Sequence, residues 1–191
     1  MTETHELLTA AVRRLIDATI RTEVDATATA AATERIEAAT AQLSDSLRPG
    51  SFGVQTTPDG RSIALGNVVI GQRNPVAPPL VIHHGADASA HTDFVLGAAY
   101  EGPPGHVHGG ICALILDHVL GATAHKPGKP AVTGTLTLRY VRGTPLGQPL
   151  RACARVERIE GAKTFVVGHI AGADGVTVEA EGVFIHPRGG R

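Results

Sequence analysis

The sequence predicts an α+β fold: one long helix against an antiparallel sheet of five or six strands, preceded by a helical extension. Three observations predict it. Beyond residue 50 there is a single apolar helical segment, residues 109 to 125. The last third of the chain alternates apolar and polar residues over four successive segments. The first 50 residues instead repeat apolar positions at spacings of three and four.

In chain order, residues 5 to 24 read as a helix. Leu8, Val12, Leu15, Ile16, Thr19 and Ile20 recur on one side, with charges between them. An Ala/Thr-rich piece follows, and Ile36, Ala39, Leu43 and Leu47 continue a weaker helical pattern until "RPGS" stops it. Residues 1–50 are therefore expected to be an extension whose apolar face docks on the main body or a second subunit, and residues 51–191 the main domain. "FGVQTTPDGRSIALG" carries a hairpin turn, and "RNPVAPPL" is a proline-stiffened connector. "LVIHH" and "DFVLGAAY" read as two strands around the loop "GADASA". After the helix, "KPGKP" is a breaker. "AVTGTLTLRYV" then sets Val132, Gly134, Leu136 and Leu138 against Thr133, Thr135, Thr137 and Arg139. "PLRACARVERI", "KTFVVGHIAG" and "VTVEAEGVFIHP" follow with tight turns, the pattern of an antiparallel meander.

The 191 residues suit one domain with an appendage. Hydrophobic residues make up 42% and aromatics 3%, so the core must be built from Ala, Val, Ile and Leu. With 17 basic and 18 acidic residues and no basic tract, neither nucleic acid nor a membrane is expected as a partner. Two cysteines without a CxxC make no disulfide framework, and the N-terminus lacks the pattern of a secretion signal. The expected compartment is the cytoplasm.

The chemistry concentrates in "GPPGHVHGGICALILDHVLG", residues 102 to 121. Gly109 and Gly110 open the helix, where backbone N–H groups lack internal partners and the helix dipole adds positive charge. Such a start can polarise a carbonyl and hold an oxyanion. On the glycines alone, a tight turn accounts for the pattern. Asp117 shifts the balance. An ionised carboxylate among Ile115, Leu116, Val119 and Leu120 is costly to bury without partners. A carboxylate in a partly desolvated cleft suits a general base or nucleophile.

Gly109 and Asp117 are separated by ~12 Å along the helix axis at 1.5 Å per residue. One carbonyl group cannot touch both at a near-attack distance of ~3 to 3.5 Å. Two antiparallel copies of the helix solve this, with the glycine end of one beside the carboxylate of the other. If both act on one substrate, the active unit is at least a homodimer.

At these residues the chain resembles the hotdog-fold acyl-coenzyme A thioesterases, in the PaaI-like branch that includes the thioesterase-superfamily-member enzymes. "YEGPPGHVHGGICALILDHVLGATA", "AVTGTLTLRYVRGTPLG" and "VERIEGAKTFVVGHI" carry the resemblance, which covers residues 75 to 187. It implies a central helix wrapped by a curved antiparallel sheet, dimers and often tetramers, and hydrolysis of an acyl-CoA thioester at the dimer interface. It implies that the Gly109 N–H binds the thioester carbonyl. It assigns Asp117 to activating water or attacking directly, and Thr133 to helping hold that water. The chain departs from some relatives at Gly102, where they carry Asn or Gln, and at Gly143, where proline is common.

Other candidates weigh less. His106 and His108 form H-x-H, with His83, His84, His118 and His125 nearby in sequence, but no zinc spacing exists, so no metal is expected. His106 is assigned to the loop, and His108 to fixing the turn through a backbone hydrogen bond. His118 neighbours Asp117 but points ~100° away around the helix. Cys112 has no dedicated base and reads as a small buried helix residue. Arg139, Arg142, Arg151, Arg155 and Lys163 are candidates for CoA phosphates, with exposed strand faces the commoner explanation. The leading expectation is a cofactor-free acyl-CoA thioesterase using Asp117, Gly109, Gly110, His108 and Thr133. The alternatives are an acyl-thioester hydratase or dehydratase using His108 and Asp117, and a non-catalytic acyl-CoA-binding dimer.

Overall fold

A computed structural model of the chain describes residues 3–56, 62–125 and 130–187. Two helices come first, α1 (Glu3–Arg21) and α2 (Ala26–Ser44). A small hairpin pairs β1 (Gln55–Thr56) with β2 (Ser62–Ile63). Six further strands form one sheet: β3 (His83–His84), β4 (Ser89–Phe94), β5 (Val132–Tyr140), β6 (Leu150–Glu160), β7 (Lys163–Gly172) and β8 (Gly175–Ile185). A short 3-10 turn, Ala98–Tyr100, precedes α3 (Gly109–Ala124). The expected Pro-Asp-Gly turn and most of the "KPGKP" breaker lie outside the described residues.

The α+β arrangement is the expected one, and α3 is the central helix. It is apolar nearly all round because β4 to β8 all pack on it. Cys112, Ile115, Leu116, Val119, Leu120 and Ala124 are buried. They meet Leu150, Ala152 and Ala154 of β6, Val166 and Ile170 of β7, and Val178, Ala180 and Phe184 of β8. Each fully buried Leu or Ile contributes roughly 1.5–3 kcal/mol of transfer free energy. In β6, β7 and β8 the strand faces are those that period-two alternation indicates, whereas in β5 the alternation is interrupted at its start.

Strand order corrects the simple meander. The sheet runs β3-β4-β6-β7-β8-β5, antiparallel throughout. β6, β7 and β8 are consecutive hairpin neighbours. β5 instead pairs with β8 and forms one edge, while β4 takes the place beside β6. The alternation in β5 specifies a face and cannot specify a neighbour.

Two local expectations also change, and the Ala/Thr-rich piece, left unassigned above, takes a definite form. The strand expected at "DFVLGAAY" begins earlier, at Ser89, inside the expected loop, and ends at Phe94. Its second half becomes a loop and the 3-10 turn, and of "LVIHH" only His83 and His84 are extended. The Ala/Thr-rich piece after residue 25 is fully helical, because Asp25 caps α2 by accepting from Ala28 N at 2.8 Å. Finally, α1 docks by a mixed face of Thr9, Val12, Arg13, Ile16 and Asp17. Leu8, Leu15 and Ile20 stay exposed on the described chain. No helix of the described residues is long and apolar enough to cross a membrane.

Candidate active site

The start of α3 is built by His108. Its backbone is extended (φ -60°, ψ 133°) and its side chain caps the helix, with Nδ1 accepting from Gly110 N at 2.9 Å. The His108 N–H donates to Tyr100 O at 2.9 Å, tying the helix start to the 3-10 turn. The backbone hydrogen bond expected of His108 is thus present, and it narrows the expected pair of glycine donors. The Gly110 N–H is already engaged by His108. Among the described residues the Gly109 N–H has no acceptor, leaving it as the open donor at the helix start.

Tyr140, at the end of β5, lies against Gly109. Its hydroxyl donates to Gly109 O at 2.9 Å, and a Cβ built at residue 109 would stand 3.2 Å from its ring. Sequence reasoning passed over Tyr140, since nothing local links it to a residue 31 positions earlier. The cleft here is about 380 Å³ and is lined by His106, Gly109, Cys112, Tyr140 and Arg142 among others. Of the basic residues named as phosphate candidates, only Arg142 is on its wall. Arg139 pairs with Glu179, and Arg151 with Asp93. Burial raises the pKa of the Cys112 thiol, with a hydrogen bond from it to Thr144 opposing, so it is a poor nucleophile. Gly102 is required by packing, because a Cβ there would stand 2.7 Å from His108 Cα.

Asp117 sits two turns further along α3, half-buried. The Thr133 hydroxyl donates to Asp117 Oδ1 at 2.8 Å. A strictly alternating β5 would send Thr133 to the face opposite Leu136 and Leu138. The structure avoids this with a bulge between Thr133 and Thr135. Gly134 is the extra residue, and the phase of the strand shifts by one. Thr133 then pairs with core residue Phe184 and faces α3, while Val132 is 53% exposed. A glycine inside an alternating strand was the available signal.

Asp117 opens on a cleft of about 780 Å³, lined also by Ile70, His84, Gly121, Ala122 and Phe184. His118 is on the same wall, despite its rotation around the helix, and is half-buried. Desolvation lowers its pKa below the ordinary imidazole value, with the Asp117 charge opposing, so it is neutral near pH 7. The H-x-H pair does not converge: His106 Nδ1 contacts Pro104 O at 2.9 Å, whereas His108 Nδ1 faces Gly110. Among the described residues no three His, Cys, Asp or Glu side chains gather into a metal-holding group.

The structure therefore brings Asp117 and Thr133 together, and His108 with Gly109 and Gly110. It does not bring the two groups together within one chain. The two clefts share no lining residue.

A solved structure of a thioesterase superfamily protein matches this chain with 35% identity and a TM-score of 0.84, covering 95% of this chain and 94% of its own. The chain belongs to the thioesterase superfamily. The superfamily model matches residues 104–179, which include α3, β5, β6 and β7. The Xenopus laevis acyl-coenzyme A thioesterase THEM4 is 37% identical over 94 residues, 48% of this chain and 42% of the relative. The chain thus spans less than half the length of that curated relative. A Bacillus halodurans protein crystallised with CoA is 26% identical, with a TM-score of 0.53, over 59% of this chain and 77% of that one. In this superfamily member, the antiparallel sheet curled around one central helix is the hotdog fold.

Proposed function

We propose that this thioesterase-superfamily chain hydrolyses an acyl-CoA to the free acid and CoA at a site shared by two subunits. The carrying observation is the Asp117 carboxylate, held by Thr133 on the wall of an open cleft lined by both apolar and polar residues. Thr133 occupies Oδ1 and leaves the other carboxylate oxygen to take a proton from water. The water oxygen adds to the thioester carbon as its proton passes to Asp117. The developing oxyanion faces the Gly109 N–H of the second subunit. Collapse breaks the C–S bond, and the proton on Asp117 goes to the departing CoA thiolate.

Two subunits are needed because the clefts of one chain are separate while the chemistry needs both. The exposed edge strand β5, with Val132 and Tyr140 on its surface, gives a second copy a place to pair. The acyl-CoA thioesterase relative and the CoA-bound neighbour support the substrate class. No metal or organic cofactor enters this reading, and the cytoplasm is kept as its compartment. A dehydratase reading would use the His108 imidazole as a base. With Nδ1 accepting from Gly110, the ring's lone pair is occupied and Nε2 carries the hydrogen.

The test is free-thiol release from short, medium, long-chain and aromatic acyl-CoAs, for wild type and Asp117→Asn. We expect turnover of at least one member, reduced by ~100-fold or more in the variant. No release from any member, or an Asp117→Asn enzyme as fast as wild type, would overturn the reading.

A further inference from the structure

Residues 64–82 connect the small hairpin to β3 and carry Ile70, part of the Asp117 cleft wall. Asn67 Oδ1 accepts from Val69 N and Ile70 N at 2.8 and 3.1 Å, and Val69 is buried in the core. The following turns are gathered by a side chain of α1. Arg13 Nε donates to Ala77 O at 3.2 Å, and Nη2 donates to Gly71 O at 3.2 Å and Asn74 O at 2.8 Å. Three carbonyls within seven residues thus converge on one guanidinium. Only arginine presents a planar fork of donors that can hold them at once. Arg13 is half-buried and has no carboxylate partner among the described residues.

The loop has little freedom to drift from this clamp. A Cβ at Gly71 would lie 2.7 Å from Leu65 O. The Tyr100 hydroxyl adds a further tie, donating to Val76 O at 2.8 Å. Tyr100 belongs to the 3-10 turn on which α1 packs, and its carbonyl accepts from His108 N. Helix α1 therefore bears on a unit that reaches the cleft wall at Ile70 and the helix start at His108.

We propose that α1 is a strap that sets the acyl selectivity of the Asp117 cleft, with Arg13 as a positioning residue and Ile70 as the wall it holds. This rests on the thioesterase reading of the site. A chain whose carbonyl stands at Asp117 extends past Gly121 and Ala122, between Ile70 and Phe184. Long chains press on Ile70, and an acetyl group does not reach it.

The test compares Arg13→Met, which keeps the stem and removes the fork, with wild type. Hydrogen–deuterium exchange should rise in residues 66–80 and stay unchanged in β6 to β8. For long-chain acyl-CoAs KM should change at least about fivefold with kcat held, while acetyl-CoA stays within about twofold. Ile70→Ala should shift the same profile with Arg13 intact, which keeps the test decisive if Arg13→Met does not fold. Unchanged exchange, or an equal loss of kcat at every chain length, would overturn the strap, as would an unshifted profile in Ile70→Ala. A wild-type enzyme inactive on every acyl-CoA would instead overturn the thioesterase reading and its selectivity role, leaving the clamp to be decided by exchange.

Discussion

Thr133 reaches Asp117 only because Gly134 steps out of the ladder, and desolvation holds the neighbouring His118 below the ordinary imidazole pKa against the opposing Asp117 charge. His118 has a measurable consequence. Its folded pKa lies below the unfolded value, so the unfolded chain takes up a proton first as pH falls. Its contribution to stability is complete above about pH 6.5 and is lost as pH falls through the lower folded value. We expect Tm to drop between about pH 7.5 and 5, and His118→Gln to flatten that drop. An unchanged slope in the variant would show that another group carries it. At this scale Asp117 was legible, because an acid in an apolar helix is costly in any fold that buries it. The Thr133 contact was legible only through resemblance, since strict alternation turns that side chain the other way.

Element by element, α3 was the most readable part of the chain. Its composition, its glycine start and its capping histidine all specify where it begins. That start also permits a clean test of the proposed oxyanion donor. Gly109 is the first helical residue, where proline is tolerated, and extended His108 suits a following proline. Gly109→Pro removes the N–H left open there among the described residues while keeping the helix start, with exposed Tyr140 yielding to the ring. We expect a folded protein with kcat reduced by ~10²–10³. Undiminished turnover would remove Gly109 from the mechanism. The docking of α1 was less legible. Its apolar periodicity pointed to Leu8, Val12, Leu15, Ile16, Thr19 and Ile20; Val12 and Ile16 do dock, while Leu8, Leu15, Thr19 and Ile20 stay exposed, and the docking side is anchored by Arg13. A charged residue whose partners are carbonyls of a distant loop leaves no periodic trace.

For the whole molecule, the two clefts are separate, so the proposed reaction, which uses both, depends on assembly. Mixing Asp117→Asn with Gly109→Pro subunits, after dissociation and reassociation, should restore about a quarter of wild-type activity. Half of the random dimers are then mixed, and each mixed dimer holds one site with both native groups. No recovery from the mixture, with dimers formed, would place both groups in one subunit's site. The sequence by itself determined the α+β class, the central helix, the faces of β6 to β8 and the spacing between Gly109 and Asp117. These follow from periodicity, capping and rise per residue, which are properties of short segments. Only the tertiary structure decided that β5 pairs with β8, that a bulge turns Thr133 toward Asp117, and that Arg13 holds the loop of Ile70. Those choices are made between residues far apart in the chain, where the deciding terms are shared burial and hydrogen-bond partners supplied by the assembled fold.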